Sequence, residues 1–142
     1  MQNEIMDAVT NRLFEMFGED CEIHTSSVEQ DLKEPCFFVS FLEPSRKPLL
    51  GRQYCMVYDM SIQYFPSSVK ASERECNEVM DRLTEGMEYI TLADGRMRRG
   101  REMSGRVEDG ILTFLVTYDL FGARQGPETE AMKELEVKGA IQ

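Results

Sequence analysis

The chain has 142 residues, enough for one domain whose core holds without disulfide or metal staples, and too few to suggest a second. Its 26 acidic and 16 basic side chains give a net charge of −10, which keeps it soluble and argues against sequence-independent binding to nucleic acid. No apolar run approaches the roughly 20 residues of a membrane span. The polar, acidic start Met1-Gln2-Asn3-Glu4 lacks the basic opening of a signal peptide, so a cytosolic product without membrane association is expected.

Ile5, Val9, Leu13, Met16 and Phe17 recur at helical spacing, with Glu4, Asp7, Asn11 and Glu15 on the other side. This predicts an amphipathic first helix, capped by Asn3 and ended by Gly18. A short strand over 21–25 follows, then an exposed polar connection over 26–35. Cys36 to Leu42 reads as an interior strand, because Phe37, Val39 and Phe41 alternate with Phe38 and Leu42 and both faces are apolar. In the next strand Tyr54, Met56, Tyr58, Met60, Ile62 and Tyr64 alternate with Gln53, Cys55, Val57, Asp59, Ser61 and Gln63, the period-2 pattern of a sheet covered on one face. The apolar set is expected to pack on helices, leaving the Gln53 to Gln63 face available to line an assembly.

Between these two strands, residues 43–52 do not look like a hairpin turn. Pro44 and Pro48, the cations Arg46, Lys47 and Arg52, and the adjacent Leu49 and Leu50 are more than joining strands requires, which predicts a contact surface. Leu49 and Leu50 admit two readings: core residues folded back over the sheet edge, or exposed anchors of a docking site.

Pro66 closes the strand, and Ser72 with Glu75 forms a capping-box pattern ahead of Cys76, Val79, Met80, Leu83 and Met87 at helical spacing. Tyr89 to Leu92 is a brief strand, Asp94-Gly95 a turn, and Arg96 to Glu108 an irregular strand interrupted by Gly100 and Gly105. Asp109-Gly110 is a strong hairpin signal. The returning strand places Leu112, Phe114, Val116, Tyr118 and Leu120 on one face and Thr113, Thr117 and Asp119 on the other. The order helix, strands, helix, strands is that of an α+β domain over 1–121, with two helices packed on one face of an antiparallel sheet. The Gly, Pro, Glu and Lys content of 122–142 predicts a flexible or weakly helical C-terminal tail.

Chemistry finds little purchase. His24 is the single histidine, and no second member of a nucleophilic constellation accompanies it. Cys21, Cys36, Cys55 and Cys76 form no C-x-x-C pair and read as reduced, small apolar residues in or near a core. Glu73, Glu75, Glu78, Asp81 and Glu85 read as a solvated helix face. Gly95 and Gly100 have P-loop spacing, but the Lys-Ser/Thr pair that would hold phosphate and magnesium is missing. No enzyme activity, cofactor or metal is therefore expected. The sharpest charge anomaly is Arg96, Arg98, Arg99, Arg101 and Arg106, clustered in an acidic chain. It can be read as a strip pairing with an acidic surface on a partner or another subunit, as a solvated hairpin, or as a contact to a nucleic-acid backbone.

Several segments carry a family resemblance: Leu32-Lys33-Glu34-Pro35-Cys36-Phe37-Phe38, the corner Phe41-Leu42-Glu43-Pro44, Ile62-Gln63-Tyr64-Phe65-Pro66, and Glu88-Tyr89-Ile90 followed by the Arg-Gly segment and the final hairpin. Over about residues 1–121 their order and spacing resemble the phage tail terminator proteins of tailed phages and prophages of Gram-positive bacteria. The resemblance implies an α+β structural subunit that forms a ring, usually a homo-hexamer, at the head-proximal end of the tail tube. There it would stop tube polymerisation and present a docking surface for the head. The implied partners are copies of itself, the tail tube protein and the head-tail connector protein. The implied locations are the host cytoplasm during assembly and then the virion tail. The family supplies no catalytic residues. The candidate contacts come from the residue reading alone: Arg46, Lys47, Leu49, Leu50 and Arg52 in the 43–52 segment, and Arg96, Arg98, Arg99, Arg101 and Arg106 in the arginine strip. Two other functions fit the same residues: another head-tail joining protein of similar build, and a small regulatory domain that binds nucleic acid through the arginines.

Overall fold

The computed structural model describes residues 1–25, 33–67 and 70–124. The first helix, α1 (Gln2–Phe17), buries Ile5, Ala8, Val9 and Leu13 on one stripe, as the periodicity requires. Its N-cap is Met1, with no side-chain cap hydrogen bond, and Asn3 lies inside the first turn, so the expected Asn3 cap is not formed. Gly18 ends the helix with φ 72°, a left-handed conformation that glycine adopts without steric cost. After a short 3-10 turn (Gly18–Asp20) the chain enters β1 (Glu22–His24).

The main sheet has the order β1, β2 (Cys36–Phe41), β4 (Gln53–Phe65), β8 (Ile111–Ala123), β7 (Arg101–Glu108). All its pairings are antiparallel except that β1 runs parallel to β2. The parallel step was not expected. The connection that produces it includes 26–32, outside the described residues, where much of the predicted exposed connection also falls.

Residues 43–52 depart further from expectation. Ser45–Pro48 forms β3, which pairs antiparallel with β4 from Ser45↔Val57 to Pro48↔Tyr54. Strands β2 and β3 thus follow one another along the same edge of β4, broken only at Leu42–Pro44, where the Leu42 amide donates to the Asp59 carbonyl at 2.8 Å. The segment is a hairpin after all. Proline did not prevent it because β3 is an edge strand, where a missing amide donor is tolerated. At the tip Leu49 N–H donates to Gln53 O at 2.9 Å and Gln53 N–H to Leu50 O at 3.3 Å, with Gly51 at φ 67°.

Helix α2 (Ser72–Gly86) buries Cys76, Val79 and Leu83 on the same sheet face as α1, with Met87 buried just beyond. Here the capping box fails: Ala71 is the N-cap without a side-chain cap hydrogen bond. Glu75 instead turns back to the end of β4, accepting from the Tyr64 hydroxyl at 2.6 Å and the Ser67 amide at 2.7 Å. It is therefore half-buried and hydrogen-bonded, not part of a solvated face.

Beyond α2, β5 (Tyr89–Thr91) and β6 (Met97–Arg99) make a separate two-stranded ribbon around the Asp94-Gly95 turn. Gly100 then carries the chain into β7. A Cβ at Gly100 would stand 2.8 Å from Val116 Cγ2 and 2.9 Å from the Met87 carbonyl oxygen, so the crossing leaves room only for hydrogen. Asp109 and Gly110, at φ 54° and 78°, form the tight turn between β7 and β8.

One core cluster joins α1, α2 and the ribbon to Phe37, Val39, Tyr58, Met60, Ile62 and Tyr64 and to the Leu112 to Leu120 face of β8. These are the apolar faces that the alternation identified. Replacing Leu13 or Leu83, both fully buried, by alanine would cost about 2–5 kcal/mol. The opposite sheet face is less open than its sequence suggests. Cys55 and Val57, and the polar Ser61 and Thr117, are buried there as well. Register explains two of them: Ser61 lies between Ser40 and Leu115, and Thr117 between Asp59 and Arg101, so neighbours shield these short side chains.

Candidate interface

The hairpin arm gathers the first group of candidate residues. Strand alternation puts Arg46 on the Tyr54 and Met56 side of the arm, its guanidinium 3.7 Å from the centre of the Tyr54 ring, a cation–π contact. Lys47, opposite Cys55, faces the other way and is exposed. Arg52 lies in the turn, and its carbonyl accepts the Arg124 amide at 2.8 Å, tying the arm to the end of β8. Leu49 is 43% and Leu50 90% exposed. These leucines are therefore not folded back over the sheet edge as core residues: the turn holds them away from the core, beside the cations Arg46, Lys47 and Arg52.

The arginines of the second group are not brought together. Arg96, Arg98 and Arg99 belong to the ribbon and Arg101 and Arg106 to the main sheet, and the change of sheet at Gly100 separates the two sets. Neighbouring positions then point oppositely, with Arg99 opposite the exposed Tyr89 and Arg98 opposite the buried Ile90. Most of the charge is answered locally. Arg96 Nε stands 2.6 Å from Asp94 Oδ2 and its Nη2 3.9 Å from Glu4; Arg99 is 3.0 Å from Glu88; Arg106 is 3.7 Å from Glu108. Such exposed pairs are screened by water and salt and contribute little to stability. The Arg96 backbone amide, and then its side chain, hold the Asp94 carboxyl below the usual carboxylate range. Arg98 donates to the Met97 carbonyl at 2.8 Å, and its buried Nε has no partner among the described residues.

Arg101 makes the most specific of these pairings. Its Nε and Nη2 each lie 3.1 Å from a different oxygen of Asp119, a two-point fork across β7 and β8. Beside it Thr117 donates to Asp59 at 2.6 Å, and Gln63 to Thr113 at 3.5 Å. The irregularity between Arg101 and Ser104, with Glu102 at φ 55°, adds one residue to β7 and aims Arg101 onto this face.

Exposed apolar side chains that the sequence reading did not single out as contacts include Tyr89 and Met97 on the ribbon, Phe14 on α1, Leu42 after β2 and Phe121 near the end of β8. Their signal was present, since Tyr89 alternates with Ile90 and Met97 with Arg98, but a three-residue strand is too short to reveal which face is covered. A shallow cleft between the ribbon and α1 is lined by Ala8, Asn11, Arg12, Glu15, Tyr89, Thr91 and Met97.

His24 hydrogen-bonds Glu22 at 3.1 Å, and burial pushes the thiols of Cys21, Cys36, Cys55 and Cys76 up, away from the reactive thiolate. Among the described residues no group of His, Cys, Asp and Glu could hold a metal ion, and no helix is long and apolar enough to cross a membrane.

Comparison with known proteins adds the family. No curated protein matches this chain. One solved structure is similar over 89% of this chain and 98% of its own, at 13% identity and a TM-score of 0.43, a likeness too low to argue from. A family profile described as phage tail terminator protein matches residues 4–130, most of the chain and beyond the 1–121 span of the motifs. The chain belongs to the phage tail terminator protein family, whose role in phage tail assembly is structural.

Proposed function

We propose that the chain assembles with copies of itself into a ring, a homo-hexamer, at the head-proximal end of the tail tube. The ring ends tube polymerisation and offers the head-tail connector protein its docking surface. It forms in the host cytoplasm and then resides in the virion tail. Family membership supports this reading, and one structural observation carries it: the hairpin arm, with Leu50 90% exposed at its tip and cations along its sides. An apolar group held so far from its own core on a paired scaffold is suited to burial against another molecule.

Arg46, Lys47, Leu49, Leu50 and Arg52 are the primary contacts in this proposal. Arg96, Arg98, Arg99, Arg101 and Arg106 contribute where the ribbon and the Arg101 face meet a neighbour. The sheet face that carries Gln53, Asp59, Gln63 and Asp119 lines the ring. The nucleic-acid reading is less favoured, because Arg96, Arg99, Arg101 and Arg106 each have a carboxylate within 4.0 Å.

Mass photometry or sedimentation of the purified protein, alone and with polymerising tail tube protein, tests the proposal. The expected result is a closed oligomer that caps tubes and limits their length. A monomer that neither self-associates nor caps tubes would overturn it.

A further inference from the structure

We infer that Tyr54 is a positioning residue: with Arg46 over its ring and Gly122 beneath its edge, it fixes the direction of the β3–β4 hairpin tip. Arg46, proposed above as a contact, then acts on assembly through Tyr54 and not by touching a partner. The inference rests on the ring reading above, in which the tip is a contact.

The tip needs such a device because the core stops short of it. On the helix-facing side of β4 the core cluster takes in Tyr58, Met60, Ile62 and Tyr64, with Met56 partly buried against it, and Tyr54 lies beyond. Strand β3 is weakly supported. Its four residues are exposed, among the described strands it pairs with β4 alone, and Pro48 brings no amide donor. Backbone pairing fixes the register there, but the twist of an uncovered sheet corner is left to side chains that reach across strands.

Tyr54 reaches across three strands. Register sets it between Pro48 of β3 and Gly122 of β8. From β3, two residues back and on the same face, Arg46 holds its guanidinium 3.7 Å from the ring centre. On the other side a Cβ at Gly122 would stand 2.6 Å from both Cζ and Oη of Tyr54, so the ring lies over β8 in space that only glycine leaves. The hydroxyl donates to Met1 Sδ at 3.8 Å, a weak bond that carries the contact on to the start of α1. One ring rooted in β4 is thus clasped from β3 and rests on β8, and the strands that carry Leu49 and Leu50 swing out of the sheet only by parting these contacts.

A tip held in one direction binds more tightly than one that samples several, because apparent affinity scales with the fraction of subunits in the binding-competent form. An exposed cation–π contact changes such a fraction by about two- to fivefold. Arg46 and Lys47 therefore differ in role although both are exposed cations, since Lys47 faces the other way, off the Tyr54 ring.

The test reads tip direction and assembly separately, in full-length protein carrying Cys21→Ser, so that the remaining native cysteines are buried. Spin labels at Leu50→Cys and at Glu78→Cys, an exposed position of α2, report the distance from tip to core by pulsed electron paramagnetic resonance. Dilution with unlabelled protein restricts the signal to single subunits. Arg46→Ala and Tyr54→Leu should each broaden this distance, and the double variant should broaden it no more than the worse single one, because the two act as a unit. Tyr54→Phe, which keeps the ring, should stay narrow. Each broadened variant should need about two- to fivefold more protein to hold tail tubes to the same length. Distances unchanged in Arg46→Ala or Tyr54→Leu would overturn the inference, as would broadened distances with capping unimpaired. Capping lost in Arg46→Ala but kept in Tyr54→Leu would make Arg46 a direct contact and overturn it too. All three outcomes leave the ring reading intact. An unsubstituted protein with a narrow distance that neither self-associates nor caps tubes would overturn the ring reading and the positioning role together.

Discussion

The Tyr64 hydroxyl donates to the Glu75 carboxylate at 2.6 Å, joining the end of β4 to the first turn of α2. The same carboxylate accepts the Ser67 amide and hydroxyl, so one side chain closes the turn between strand and helix. A hydrogen bond to a charged group contributes about 1.5–3 kcal/mol. Tyr64→Phe removes one donor and leaves the Ser67 donors in place, so a loss of about 1–2 kcal/mol is expected. Urea denaturation followed by circular dichroism would measure it, and an unchanged midpoint would show that the bond contributes nothing.

Alkaline pH should destabilise the fold in a defined window. Burial pushes the Tyr58, Tyr64 and Tyr118 hydroxyls and the Cys36, Cys55 and Cys76 thiols up, with the bond to Glu75 adding to the rise at Tyr64. The folded state then holds protons that the unfolded chain releases. Stability is full below the unfolded values, about 8.5 for Cys and about 10 for Tyr, and falls as pH rises past them. The urea midpoint should be level near neutrality and decline above about pH 9, with a shallower decline above pH 10 in Tyr64→Phe. A midpoint that rises over this range would contradict the assignment.

Two glycines should respond differently to alanine. At Gly100 the new methyl group meets Val116 and a backbone carbonyl, neither of which can move aside cheaply. At Gly105 it meets the Met80 side chain, and a flexible thioether can rotate out. Gly100→Ala should therefore lose about 1–3 kcal/mol, and Gly105→Ala distinctly less. Equal thermal shifts in the two variants would refute the distinction.

Thiol chemistry offers a direct check on burial. Cys36 and Cys76 are fully buried and Cys55 is 7% exposed, whereas Cys21 is only half-buried. At neutral pH a thiol reagent should modify Cys21 first, and the other three only on the timescale of unfolding. Rapid modification of all four in native protein would mean that the sheet is not closed as described.

Much of this fold was legible because strands with one covered face announce themselves. Leu112, Phe114, Val116, Tyr118 and Leu120 recur at every second position, with Leu115 the one apolar residue between them, and Asp109-Gly110 marks the turn that sets their register. The pairing partners were less legible. Residues 45–48 read as loop because a charged, proline-bounded edge strand carries no alternation, and nothing local says that β1 runs parallel to β2. Ser72 and Glu75 show the limit of motif reading, since Tyr64 and Ser67 claim the carboxylate from outside the helix. The arginines looked like one strip because sequence proximity ignores alternation and the change of sheet at Gly100. In the candidate interface, the 43–52 composition set the segment apart from a simple turn without revealing that it pairs as a hairpin, while the ribbon cleft requires tertiary packing to exist.

The continuity of β4 has a mechanical consequence. Its 13 residues, about 44 Å of extended chain, pair with β8 from Gln53 to Tyr64, so the arm and the core share a single strand. The tip is therefore the end of a stiff lever, not a tether searching for a contact. Because side chains repeat every second residue, shortening the arm by two residues on each strand would retract the tip by roughly 7 Å with every face preserved. Removing one from each would turn the faces over. Arm length is thus a quantised dimension through which related subunits could set the spacing of their neighbours.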